Sequence, residues 1–272
     1  MDAARLETDP RIRTRRELIA RSRRRRLLWR AGALALCALI AWIAFWSPVL
    51  SIRRVRLWGA RHTVAAEVVE VAGLQRSDNL LLISTDAIEE AAETLPWVAK
   101  AEVRRVLPGT LRIKIKERTP TMALTLDAGG RRSRWLIDAD GRVLSKGSSH
   151  RKLPVLAGMP IEAPEPGSIV ESEPALAALT AYGSMPKPLR QKVVAVFAPT
   201  EERLTFTLRD RTLVRFGAAE NLRSKNSVLR SVLDKLRSQG RTVAYIDVRV
   251  PASPAVSQQA PPDLVQSPAP SA

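Results

Sequence analysis

From Ala31 to Trp46 the chain carries no charged or strongly polar side chain, and Ser47-Pro48-Val49-Leu50 extends the run. Twenty residues in a helix rise about 30 Å, the thickness of a bilayer's hydrocarbon core, so residues 31–50 are predicted to be a transmembrane helix. Trp29, Trp42 and Trp46 fall toward its two interfaces, where amphipathic rings are favoured. A signal peptide would have an apolar region of roughly 7–15 residues followed by a small-residue cleavage site. This run is longer and continues into Ser51-Ile52, so it reads as an uncleaved anchor.

Beyond it the pattern changes to short elements. Ile52 to Gly59 is a strand closed by glycine. Thr63 is placed as the N-cap of a helix from Val64 to Ala72, with Val64, Val68 and Val71 on one side and Gly73 as its stop. Asp78-Asn79 marks a turn before an apolar strand, Leu80 to Ile83. Ser84 or Thr85 caps a second helix with Ile88, Ala91, Ala92 and Leu95 as its apolar stripe, Glu89, Glu90 and Glu93 as its solvated side, and Pro96 as its end. Two strands follow, Ala99 to Leu107 and Thr110 to Glu117, with Pro108-Gly109 at the centre of a type II turn. That order describes a small α/β sandwich with one sheet face covered.

Further along, Pro174 opens a helix carrying Ala175, Leu176 and Leu179 on one side, with Gly183 as its stop. Strands are predicted at Lys192 to Ala198, Arg203 to Leu208 and Thr212 to Phe216. A long helix from Leu222 to Ser238 presents Leu222, Val228, Leu229, Val232, Leu233 and Leu236 to a core, and Gly240 ends it. The final strand runs from Thr242 to Val250 and is stopped by Pro251. Residues 251–272 hold six prolines, one acid and no base, a composition that predicts a disordered tail.

Charge then orients the molecule. Lys and Arg total 44 against 27 Asp and Glu, a net of +17, which invites a nucleic-acid partner. Residues 1–30, however, hold eleven Arg and four acids immediately before the span. Such a cluster keeps its side of a span in the cytoplasm and contacts anionic lipid. The rest of the chain, with 33 basic and 23 acidic residues after the span, is therefore placed outside the membrane, where no nucleic acid is available.

Candidate chemistry is sparse. The single Cys37 excludes a disulfide framework and a multi-cysteine zinc site. A catalytic triad has only His62 or His150 to draw on, with no nucleophile beside either. Asp138 and Asp140 are two apart, but Asp140-Gly141 reads as a hairpin turn. No catalytic, metal or cofactor site is predicted.

Val55, Gly59, Gly73-Leu74, Asn79-Leu80, Leu95-Pro96-Trp97-Val98, Ala101-Glu102-Val103, Arg105, Leu107-Pro108, Thr110-Leu111, Ile113 and Glu117-Arg118-Thr119-Pro120 together resemble the POTRA domain of the FtsQ/DivIB family of bacterial cell-division proteins. The likeness continues in Trp135 to Leu144, a strand–turn–strand, and in Leu153 to Gly158. It departs at the Pro-rich residues 159–172 and at Val250, where the family often carries an aromatic. The resemblance implies an α+β protein: a cytoplasmic basic tail over 1–30, a transmembrane helix over 31–50, a POTRA domain over 51–118, a mixed α/β domain with a curved sheet and two helices over 119–250, and the tail over 251–272. It also implies a non-enzymatic, single-pass scaffold of the division septum. FtsB and FtsL would be its partners, and FtsW and the septal transpeptidase would be reached indirectly. In the family a partner adds a strand beside the last strand of the second domain. An exposed sheet edge offers unpaired N–H and C=O groups for such pairing, which places the partner-binding surface on Val248, Arg249, Val250 and Ala252. The alternatives are a POTRA-bearing secretion or outer-membrane assembly component, or a membrane-anchored binder of cell-wall polyanions.

Overall fold

The structure, a computed structural model, describes residues 26–42, 50–128, 131–147, 153–159 and 161–262. Helix α1 covers 26–42, and its large apolar side chains, among them Leu34, Leu39, Ile40 and Trp42, are exposed. No helix among the described residues is long and apolar enough to cross a membrane. Residues 43–49 of the predicted span, and 1–25 of the basic tail, lie outside the described residues. The chain is mixed α/β and divides into two compact units, one of Met1–Trp58, Ala65–Glu89 and Glu102–Lys114, the other of Gly59–Val64, Glu90–Ala101 and Ile115–Ala272.

The first unit holds β1 (Arg54–Trp58) and the larger parts of β2 (Val98–Val106) and β3 (Thr110–Glu117), which form a three-stranded sheet in the order β1-β3-β2. β1 lies parallel to β3, with Arg54 opposite Thr110 and Trp58 opposite Lys114. Alternation sends Leu111, Ile113 and Val103 inward and Arg112, Lys114 and Arg104 outward. Helices α2 (Ala65–Val71) and α3 (Thr85–Glu93) contribute the buried Val68 and Ile88. Ser84 Oγ accepts the Ala87 N–H at 3.2 Å, so Ser84 is the N-cap of α3. Glu89 is not merely solvated: its Oε1 accepts the Val103 N–H at 2.6 Å.

Three expectations for this region are corrected. Leu80 to Ile83 is a turn rather than a strand, because Asn79 Oδ1 accepts the Leu81 N–H and Asn79 O those of Leu82 and Ile83. Leu80 alone is buried there, while Leu81 and Leu82 are exposed. Of the three valines predicted to face inward from α2, only Val68 does. Gly109 does not take the positive φ of a type II turn. It is needed for close approach instead, since its carbonyl accepts the N–H groups of Arg53 and Arg54 and a Cβ there would lie 2.9 Å from Ser51 O.

The second unit is built on a nine-stranded sheet. Its strands are β4 (Met122–Ala128), β5 (Arg131–Ile137), β6 (Val143–Lys146), β7 (Val155–Ala157), β8 (Val193–Phe197), β9 (Leu204–Leu208), β10 (Leu213–Gly217), β11 (Tyr245–Asp247) and β12 (Ala255–Ser257), in the order β12-β11-β10-β9-β8-β7-β4-β5-β6. Helices α4 (Glu173–Ser184), α5 (Lys187–Arg190) and α6 (Leu222–Ser238) accompany it. Leu124, Ile137, Leu156, Val196, Phe206 and Phe216 from the strands pack with Ala178, Leu179 and Leu229 from the helices in one core. The hairpin turn at Asp140-Gly141 is present, with Gly141 at φ +82°. Asp138 serves that turn: its Oδ1 accepts the N–H groups of Asp140 and Arg142, and its Oδ2 is 2.9 Å from the Arg118 guanidinium.

Pro174 lies in the first turn of α4 and α6 has the predicted bounds. Leu176 points outward, however, and Ala178 and Ala181 take the inward positions. Gly183 is inside α4 rather than beyond it. The outer side of β6 is flanked by the loop before α4, in which Gly167 N–H reaches Val143 O and Val143 N–H reaches Ser168 O. The final strand is much shorter than Thr242 to Val250, and Ala255–Ser257, inside the tail expected to be disordered, forms β12 against it. Residues 263–272 of that tail lie outside the described residues.

Candidate functional site

The C-terminal end of the second unit's sheet carries the predicted partner-binding residues. β11 is held on one side by β10, in parallel, with Leu213 opposite Tyr245 and Arg215 opposite Asp247. On the other side β12 pairs antiparallel with it, Tyr245 opposite Ser257 and Asp247 opposite Ala255. The edge expected to be open at β11 is therefore closed by the chain itself. β12 becomes the terminal strand, with a neighbour on one side only among the described residues.

The four predicted residues separate. The chain leaves the sheet after Asp247, and Val248 turns into the core, fully buried, its N–H bound to Arg215 O at 3.0 Å. Val250 is 61 % exposed and Ala252 is exposed. Both lie in the turn that leads to β12, where Ser253 N–H returns to Val250 O. Val256, 47 % exposed, adds a second apolar side chain to this end of the sheet.

Arg249 is fixed rather than a free end charge. Its Nε and terminal nitrogen meet the Asp247 carboxylate at 3.0 and 2.8 Å, and its backbone N–H donates to Asp247 Oδ1 at 3.0 Å. Its aliphatic stem crosses Gly217, where a Cβ would lie 2.9 Å from Arg249 Cγ, and Gly217, at φ +71°, follows a break in the β9–β10 register. Burial opposes ionisation of Asp247, but the hydrogen bonds from Arg249 and from the Tyr245 hydroxyl outweigh it and hold the carboxyl below its usual value. Burial and the Asp247 charge push the Tyr245 phenol up. Both groups keep one charge state across neutral pH.

The other candidates are accounted for by structure. His62 stacks on Trp97 at 3.9 Å, and its Nδ1 lies 3.0 Å from Glu117 Oε2. His150 lies outside the described residues. Sequence reasoning assigned no element at β4, β7, α5 or β12. Of these, β12 bears on the site, and its only signal is the short Ala-Val-Ser stretch after Pro254.

Residues 50–118 match the family model described as "POTRA domain, FtsQ-type", and residues 128–249 the one described as "Cell division protein FtsQ/DivIB, C-terminal". β12 follows the last matched residue. A protein of Anaeromyxobacter sp. named "Cell division protein FtsQ" is 31 % identical over 246 residues, covering 83 % of this chain and 81 % of its own. Proteins of the same name from Mycolicibacterium smegmatis and Rhodothermus marinus are 30 % and 33 % identical, over 76 % and 64 % of this chain and 59 % and 62 % of theirs.

Proposed function

The chain belongs to the FtsQ/DivIB family and acts in cell division, and on that premise we propose that it works as a membrane-anchored scaffold that captures an extended segment of a partner along β12. The observation that carries this reading is the terminal position of β12, whose outer side has no strand beside it among the described residues. A strand that adds there gains main-chain hydrogen bonds, and the exposed Val250 and Val256 supply apolar contacts at the same end. Of the four residues predicted from sequence, Val250 and Ala252 remain available to touch such a segment, Arg249 sets the turn, and Val248 supports the floor. The partners fitting this role are FtsB- and FtsL-type proteins, with FtsW and the septal transpeptidase reached through them.

The anchor reading is supported by the apolar run over 31–50 and by the exposed apolar surface of α1. With the eleven arginines of 1–30 on the cytoplasmic side, both folded units stand outside the inner membrane at the septum. A scaffold needs no catalytic group, and the histidine and paired aspartates considered above serve turns and loop contacts.

A photo-crosslinking side chain at Val256 tests the edge in dividing cells. It is expected to capture the FtsB- or FtsL-type protein, while the same group at Lys146 on β6 captures neither. Capture at Lys146 with none at Val256 would move the interface to the opposite end of the sheet.

A further inference from the structure

The outward face of the first unit's sheet has a charge pattern that the scaffold role leaves unexplained. Arg54, Arg56 and Trp58 alternate outward on β1, Arg112 and Lys114 on β3, and Glu102 and Arg104 on β2. Five cations and one carboxylate give these positions a net charge of +4. In the β1–β3 register Arg56 stands directly opposite Arg112, and like charges in such positions repel across the strands. The one acid does not relieve that pair, since Glu102 lies 3.9 Å from Lys114, with both side chains well exposed. Arg54, Arg56 and Arg104 have no ion-pair partner among the described residues. Arg112 Cζ lies over the half-exposed Trp58 ring at 4.8 Å, a cation–π contact that leaves its positive charge unneutralised.

A folded sheet that holds a repelling pair in register, beside an exposed tryptophan, is built for an anionic surface. We propose that this face docks on anionic phospholipid headgroups of the bilayer. Position argues for lipid as the occupant. β1 starts four residues after Leu50, and four extended residues reach about 13 Å, so Arg54 and Arg56 cannot leave the neighbourhood of a bilayer spanned by 31–50. Tryptophan and arginine together suit the headgroup layer, where one side of the ring is apolar and the other wet. Each cation brought to an anionic surface raises occupancy about fivefold, so the face gives the anchored unit a preferred orientation. This inference rests on the membrane-anchor reading.

The test uses the full chain carrying Cys37→Ala and Val106→Cys, with a dye on the introduced thiol, reconstituted in vesicles containing a headgroup-labelled quencher. In phosphatidylcholine with about 30 % phosphatidylglycerol, quenching is expected to be about twice that in phosphatidylcholine alone. The gain is expected to vanish in about 0.5 M salt and in Arg54→Gln/Arg56→Gln/Arg112→Gln, whose three sites are exposed and whose fold is checked by circular dichroism. Equal quenching in neutral and anionic vesicles, or a gain that survives the triple substitution, overturns the proposal. Flotation with neutral vesicles in alkaline carbonate is the separate check on the anchor. A chain that fails to float sinks the anchor, and binding of that chain from solution to anionic but not neutral vesicles would still uphold the face.

Discussion

Two valines two residues apart do different work at the end of β11. In a continuing strand Val248 and Val250 would share a face, but the chain turns after Asp247, where the Asp247 carboxylate collects the Tyr245 hydroxyl and three donors of Arg249. Val248 consequently enters the core and Val250 meets solvent. Val248→Ala is expected to cost about 2 kcal/mol of stability through lost apolar contact and the cavity left behind. Val250→Ala is expected to change stability by less than about 0.5 kcal/mol while weakening partner capture. Urea unfolding of both variants, together with partner co-purification, checks the contrast. An alternating pattern makes the two valines look equivalent in sequence. The break comes from one aspartate's preference for a neighbouring guanidinium, which spacing does not reveal.

Glu117, the last residue of β3, ties a loop rather than ending a strand idly. Its Oε1 accepts the N–H groups of Arg61, His62 and Thr63 at 2.6, 2.7 and 3.2 Å, and Oε2 faces His62 Nδ1. Burial acts against ionisation here too, yet these hydrogen bonds prevail and lower the pKa from 4.5 to about 2. The folded value lies below the unfolded one, so the stabilisation is fully present above about pH 4.5 and is lost as pH falls toward 2. Glu117→Gln is expected to cost about 2 kcal/mol at pH 7 and to match the unsubstituted protein near pH 2, as measured by denaturant unfolding at both values. Elements with strong periodicity, such as α6, were legible to the residue. Leu80–Ile83 was not, because four apolar residues in a row specify burial but not conformation, and the Asn79 side chain decides the matter by bonding forward. β12 was hidden for the converse reason. A three-residue strand held by backbone pairing needs no apolar pattern, and Ala-Val-Ser among prolines has the composition of a loop.

For the whole molecule, the division role predicts a cellular phenotype. Depletion is expected to give long cells without constrictions, and a fluorescent N-terminal fusion is expected to form a midcell band. Normal cell length with even membrane fluorescence would leave the family's role unfilled by this chain. What the sequence revealed at this scale was the family, carried by scattered glycines, prolines and turn residues such as Gly59 and Leu107-Pro108 that pin the backbone. The location of the open edge was not visible, since it depends on which segment covers which strand.

At one end of the nine-stranded sheet the loop around Gly167 and Ser168 bonds to Val143 of β6, and at the other end stands β12, with no strand beside it among the described residues. In the language of assembly, the proposed capture at β12 is monovalent: a single extended segment adds there and, unless that segment presents a fresh edge of its own, growth on that side stops. One captured segment per chain is the stoichiometry expected of that edge.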